Sequence, residues 1–177
     1  MWRFTLADAR RMQDRDQDFE SFYLGAIEKN PDDVQLYLDH GQYLEQRLGN
    51  CELELDESTH SRMLAAMQTS YETALSLEPG NPEANLALAQ VYLLPGFNWE
   101  DGLGYHQKAW QLLPGSSFVA EQAVNYAIAG SRYDDAEQLI TWLARPFHVW
   151  GEHFWITQLR QKLDAARQGR TIERCDA

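Results

Sequence analysis

The sequence predicts an all-α fold, an α-solenoid of helical hairpins closed by a capping helix. Three observations support it. First, an aromatic ring is followed three residues later by Ala, and five residues after that by Pro, in three separate segments: Tyr23 to Pro31, Tyr71 to Pro79 and His106 to Pro114. Second, only residues 52–56 alternate apolar and polar side chains, too short a run to found a sheet. Third, residues 149–168 are amphipathic, as a cap must be.

The helices follow in order from these patterns. The shared alanines lie 48 and 35 residues apart, and Leu143 lies 34 residues after Ala109. Each Pro ends a helix, because it cannot continue the backbone hydrogen bonding. The predicted helices are 4–14, 17–29, 33–47, 59–77, 82–94, 99–113, 117–129, 133–145 and 149–168.

This periodicity resembles the tetratricopeptide repeat, a helix-turn-helix unit of about 34 residues. Gly41 falls at the small position of a first helix, between the large residues Tyr37 and Leu44. The resemblance implies a right-handed solenoid of about four repeats. They span about 1–33, 34–81, 82–116 and 117–148, with a cap at 149–168 and a frayed tail at 169–177.

The second repeat carries an insertion, since its 48-residue spacing is 14 residues longer than the family's unit. We assign the insertion to residues 47–59, between the two helices of that repeat. Gly49 and Asn50 are helix-stop residues, and Ser58 or Thr59 is expected to cap the next helix.

The charge is strongly acidic and uneven. The chain has 15 Lys and Arg against 27 Asp and Glu, a net charge of −12, and residues 31–138 carry the excess. This balance argues against nucleic acid, whose phosphates are bound by Lys and Arg. No run approaches the roughly 20 apolar residues of a membrane span, so we expect no membrane insertion. Two cysteines, Cys51 and Cys175, fit a reducing compartment and a cytoplasmic location.

Catalytic and metal-binding patterns are not evident in the sequence. The five histidines are scattered, Cys51 lies beside acidic residues that would raise its pKa, and no glycine-rich segment has the form of a phosphate loop. We therefore expect no enzymatic activity, no metal and no cofactor. Five aromatic residues are clustered near the cap: Trp142, Phe147, Trp150, Phe154 and Trp155. We expect them to pack in the core, and the alternative is that they form a partly exposed pocket.

The family resemblance implies a ligand-binding face, because the first helices of its repeats line a concave groove. Counting from each Pro, the predicted groove residues are Gln35, Leu38, Gln42, Glu45, Glu83, Leu86, Gln90, Leu93, Phe118, Glu121 and Asn125. Gln42, Gln90 and Asn125 share one repeat position and form a possible ladder of amides. None of the eleven is Lys or Arg, which makes membership of the subclass that clamps acidic tails improbable.

The leading functional hypothesis is a non-catalytic module that binds an unidentified protein partner, as a peptide or a helix, in this groove. The glutamates favour a neutral or basic ligand. One alternative is a structural or assembly subunit that docks through its ends or through Leu53 and Leu55 of the insertion. Another is the tetratricopeptide-like part of a bacterial envelope complex.

Overall fold

The computed structural model describes residues 19–50, 53, 55–144 and 154–170. These residues form eight α-helices and no strand, which confirms the all-α prediction for this part of the chain. The predicted helix at 4–14 lies outside the described residues. The helices are α1 (Phe19–Lys29), α2 (Val34–Leu48), α3 (Glu57–Leu77), α4 (Pro82–Val91), α5 (Trp99–Leu112), α6 (Ser117–Ala129), α7 (Tyr133–Leu143) and α8 (Phe154–Arg167).

The helix ends follow from local chemistry. α1, α3 and α5 each end two residues before a proline of the repeated pattern. Five helices begin after a residue whose side chain accepts a hydrogen bond from a backbone N–H in the first turn; these caps are Asp33, Asp56, Asn81, Asn98 and Ser116. Such caps stabilise the otherwise unpaired amides of a helix start.

α3 begins two residues earlier than the sequence predicts, and its N-cap differs from the expected one. Asp56 caps α3 by accepting from the Thr59 amide at 2.9 Å, so neither Ser58 nor Thr59 is the cap. α3 therefore begins at Glu57, inside the range predicted for the insertion. Leu55 packs against the hydrophobic core.

Consecutive helices pack against each other from α1 to α8, and α4 also packs against α6, as α6 does against α8. The described core has two main clusters, one formed by α2, α3 and α4 and the other by α6, α7 and α8. A smaller cluster of Leu86, Ala109 and Val119 joins α4, α5 and α6. The arrangement is all-helical and repeat-like.

Glycines stand where helices approach closely. The predicted small residue Gly41 lies against the Tyr71 ring, and a Cβ there would come within 2.6 Å of the ring carbon Cζ. A Cβ on Gly102 of α5 would come within 2.6 Å of the Tyr92 Cβ and would collide with the Tyr126 hydroxyl. Gly41 and Gly102 therefore both contact residues outside their own helices at close range, and only a residue without a side chain fits at either position.

The sequence pattern predicts one apolar stripe on the capping helix, formed by Trp155, Leu159, Leu163 and Ala166, and the buried stripe of α8 differs slightly from it. Leu159 and Leu163 are buried as predicted, but Ile156 and Ala165 are buried with them, while Trp155 and Ala166 are only half-buried. Trp142 and Trp155 pack against the second core cluster, as the core-packing interpretation expects. Phe147, Trp150 and the side chain of Phe154 lie outside the described part of the chain.

Candidate ligand-binding groove

Helices α2, α3, α4 and α6 enclose a groove with a volume of about 320 Å³. We call it the acidic groove and define it by its lining residues: Gln42, Glu45, Gln46, Tyr71, Glu83, Leu86, Ala87, Gln90 and Phe118. Its residues come from segments that the sequence assigns to three consecutive repeats, so the groove forms only where helices of these segments pack together.

Six of the eleven predicted groove residues line the acidic groove together: Gln42, Glu45, Glu83, Leu86, Gln90 and Phe118. Helical spacing explains the agreement. On α4, the step from Glu83 to Leu86 and from Leu86 to Gln90 is three or four residues, which keeps them on one face. Gln42 and Glu45 share a face of α2 for the same reason.

Three predicted residues lie elsewhere. Gln35 is exposed at the start of α2, where its amide nitrogen donates to the Asp39 carboxylate at 2.8 Å. Leu38 is only 2% exposed and belongs to the first core cluster, so it offers no apolar pocket to a ligand. Leu93 follows the end of α4, which stops at Val91 rather than at the predicted residue 94, and it is half-buried in the turn.

The remaining two predicted residues, Glu121 and Asn125 of α6, contact α8. The Lys162 ammonium donates to Asn125 Oδ1 at 2.7 Å, and the Trp155 side chain hydrogen-bonds the Glu121 carboxylate. Burial raises the pKa of Glu121, and Trp155 and Lys162 oppose that rise. The amphipathic pattern of residues 149–168 predicts that Lys162 lies on the outer polar face of the cap. The residue is exposed, but its long side chain brings the ammonium group back to α6.

Tyr71, like Gln46 and Ala87, is a groove residue that the sequence did not assign to ligand binding. It is 3% exposed, yet it lines the groove, and within the described residues its hydroxyl makes no hydrogen bond. Burial raises the pKa of Tyr71, and the Glu45 and Glu83 carboxylates raise it further. In the sequence, Tyr71 marks the repeat register, and nothing in that pattern indicates which face its hydroxyl reaches.

The electrostatics of the groove are negative. Glu45 of α2 and Glu83 of α4 both act on the Tyr71 hydroxyl, although they lie on different helices. No Lys or Arg is among the residues that line the acidic groove in the described structure. Amides at Gln42, Gln46 and Gln90 supply both donors and acceptors. This lining suits a ligand that carries hydrogen-bond donors and positive or no charge.

A second and larger cavity of about 780 Å³ lies between α5, α6 and α7. His106, Tyr126 and Trp142 are among its lining residues. Arg132 also lines it, but its guanidinium already pairs with the Asp135 carboxylate at 3.5 Å. The cavity therefore lacks the concentration of one charge sign that distinguishes the acidic groove.

The histidines of the described chain are not grouped for metal binding. The Nδ1 atom of buried His40 lies 2.8 Å from Ser70 Oγ, and His106 lies 3.2 Å from the Val119 carbonyl oxygen. His60 is exposed. Over the described ranges, no three His, Cys, Asp or Glu side chains are placed to hold a metal ion. His148, His153, Cys51 and Cys175 are not among the described residues.

A scan of protein-family models, a search of curated proteins and a search of solved structures each gave no significant match to this chain. Among the described helices, none combines the length and the apolar character needed to cross a membrane.

Proposed function

We propose that this protein is a non-catalytic interaction module that holds a peptide or a partner helix in the acidic groove. In this proposal, the helix pairs form a right-handed solenoid of tetratricopeptide-like repeats, and α8 is the cap. The pairing of consecutive helices and the packing of α4 against α6, and of α6 against α8, support that arrangement.

One observation carries the functional proposal. The groove residues were chosen from repeat register alone, yet six of them from three different helices meet in one groove. Exposed side chains are usually scattered, so this convergence supports a binding face over a solvated surface. The partner is then a protein segment with neutral or basic character, and the module acts in the cytoplasm without inserting into a membrane.

The alternative of docking through the insertion has weaker support. Leu53 and Leu55 were its apolar recognition elements, but Leu55 packs against the first core cluster and both residues are only partly exposed. A leucine held in the core is not available to a partner. Docking through the ends of the array remains a different outcome of the experiment below.

The test compares two triple variants with the unmodified protein in affinity capture followed by quantitative mass spectrometry. The groove variant carries Gln42→Ala, Gln90→Ala and Phe118→Ala; Phe118 is 50% exposed, so its loss should leave the core intact. The control variant carries Gln111→Ala, Gln161→Ala and Phe22→Ala, all exposed and outside the groove. Circular dichroism verifies that both are folded.

We expect the control variant to retain the captured partner and the groove variant to lose about tenfold or more of it, because apolar and amide contacts are removed together. If the folded groove variant captures the partner as well as the unmodified protein does, the groove is not the binding face. Loss in the control variant alone would point to docking outside the groove.

A further inference from the structure

We propose that the floor of the acidic groove is a seat for one cationic side chain, a Lys or Arg of the partner, held by the Tyr71 hydroxyl and the Glu83 carboxylate, with Glu45 adding to the negative charge of the groove. This inference rests on the proposed function and adds the chemistry of the residue that the groove recognises.

The Tyr71 hydroxyl is the first observation. The Tyr71 side chain is 3% exposed and lines the groove, and its hydroxyl makes no hydrogen bond to another side chain or backbone group of the described residues. A ligand donor that enters the groove would satisfy this oxygen.

The charge around that hydroxyl is the second observation. Glu45 of α2 and Glu83 of α4 line the groove together with Tyr71, and their charges raise its pKa. Two carboxylates beside a buried hydroxyl disfavour an anionic ligand and favour a positively charged donor. An ammonium or a guanidinium group donates to the hydroxyl oxygen and to carboxylates at once.

The shape of the groove explains why the cation should be on a long stem. Leu86 and Ala87 of α4 provide apolar surface, and Phe118 of α6 adds an exposed aromatic ring. Lys and Arg bury their aliphatic stems on apolar surface while the charged head reaches polar groups. Gln42 and Gln90 can bond the backbone of the same partner segment.

Lys162 is an example, within this protein and one predicted repeat later, of a lysine bound by an amide and stabilised by a carboxylate. Its ammonium donates to Asn125, which occupies the repeat position of Gln90, and the Glu121 carboxylate on the same helix stabilises its charge. A lysine of α8 therefore binds to α6 in the way that we expect a lysine of the partner to bind to α4. The acidic groove has the amide and the carboxylates but no lysine of its own.

The experiment titrates the full chain with N-acetyl-lysine-N-methylamide and N-acetyl-arginine-N-methylamide, followed by NMR chemical shifts. The matched uncharged probe is N-acetyl-norleucine-N-methylamide, which has the aliphatic stem without the ammonium group. The variants are Tyr71→Phe, which keeps the ring against Gly41, and Glu83→Gln. The control is Glu100→Gln, since Glu100 also lies two residues after an asparagine cap but outside the groove.

We expect saturable shifts at the Gln42 and Gln90 side-chain amides with the lysine or the arginine probe and not with norleucine. Binding should weaken about tenfold in Tyr71→Phe and in Glu83→Gln, because each removes a partner of a charged donor. Glu100→Gln should bind like the unmodified protein.

Equal saturation by the norleucine probe, or unchanged binding in folded Tyr71→Phe, would overturn the inference. Equal weakening in Glu100→Gln would also overturn it, since net charge alone would then explain the effect. These outcomes are separate from the proposed function. If the groove variant above loses the partner while Tyr71→Phe binds lysine normally, only the cation seat fails; if lysine binds but capture is unaffected, only the partner proposal fails.

Discussion

Gly102 and Gly104 lie on the same helix but have different surroundings. A Cβ on Gly102 would collide with the Tyr126 hydroxyl, whereas a Cβ on Gly104 would meet no atom within 4 Å. We expect Gly102→Ala to lower the free energy of unfolding by about 1–3 kcal/mol, because a packed interface must shift to admit the methyl group. Gly104→Ala should raise it by up to about 1 kcal/mol, since alanine favours the helix.

Urea denaturation measures both changes. Equal effects of the two substitutions would contradict the close approach of α5 to α6, because helix propensity alone would then account for both.

His40 makes the stability of the protein depend on pH. It is 3% exposed, and its Nε2 atom has no hydrogen-bond partner within the described residues. Ser70 Oγ donates to the Ala66 carbonyl at 2.9 Å, so it accepts from His40 Nδ1, which leaves Nε2 as a buried lone pair. Burial lowers the pKa of His40, and the Glu20 carboxylate, which pairs with Arg62, partly opposes this.

The lowered pKa fixes the direction of the effect. The unfolded chain binds the proton near the ordinary histidine pKa of about 6.5, before the folded chain does. The contribution of His40 to stability is therefore fully present above that pH and is lost as the pH falls below about 6.5 and through the lowered pKa of the folded state. We expect the difference in unfolding free energy between the protein and His40→Gln to shrink over this range. A difference that is independent of pH would contradict it.

The roles of individual residues were harder to predict from the sequence than the helices or the fold class. The repeat register found Gln90 and Glu83 because helical spacing assigns a face to each position. The repeat register could not identify Tyr71 as a groove residue. It indicates which helices a residue packs between, but not which surface the hydroxyl group of its side chain reaches. Leu38 occupies a groove position in the repeat register, but it is 2% exposed and packs in the first core cluster, because a leucine at the edge of a helix face can turn into the core.

At the scale of helices, Tyr126 joins α6 to α4. Its buried hydroxyl donates to the Ala89 carbonyl at 2.7 Å, within the last turn of α4, where carbonyl groups lack intrahelical partners. We expect Tyr126→Phe to lower the free energy of unfolding by about 1–3 kcal/mol, because the carbonyl is left unsatisfied.

The matched control is Tyr37→Phe, whose exposed hydroxyl donates to the Pro31 carbonyl at 3.0 Å. That substitution should change stability by less than about 0.5 kcal/mol. If chemical denaturation gives the two variants the same midpoint, the α4 to α6 link does not depend on this hydrogen bond.

The existence and order of the described helices were predictable, and their ends mostly were. Proline and asparagine act locally, so the ends of α1, α3 and α5 and the start of α4 follow from the residues themselves. The start of α3 was not predicted correctly, because Asp56 competes with Ser58 and Thr59 for the cap and all three are good cap residues. The contact of Lys162 with α6 could not be predicted from periodicity, since it depends on how α8 crosses that helix.

At the scale of the whole molecule, the fold concentrates part of the excess negative charge in the acidic groove. The net charge of −12 alone only argues against nucleic acid. Glu45 and Glu83 line the same groove as Tyr71, while two basic residues of α8 pair elsewhere: Lys162 with Asn125, and Arg167 with Glu137 at 3.1 Å. Within the described residues, no Lys or Arg lines the acidic groove, and its charge suits a positively charged partner.

The most direct test of the groove as the binding face is site-specific photo-crosslinking in cells. A photoreactive amino acid replaces Gln42 or Gln90 in the acidic groove, and Gln111 on α5 serves as the control position. The account predicts that positions 42 and 90 give crosslinks to the same partner and that position 111 gives none. Crosslinks from position 111 with none from positions 42 and 90 would contradict it.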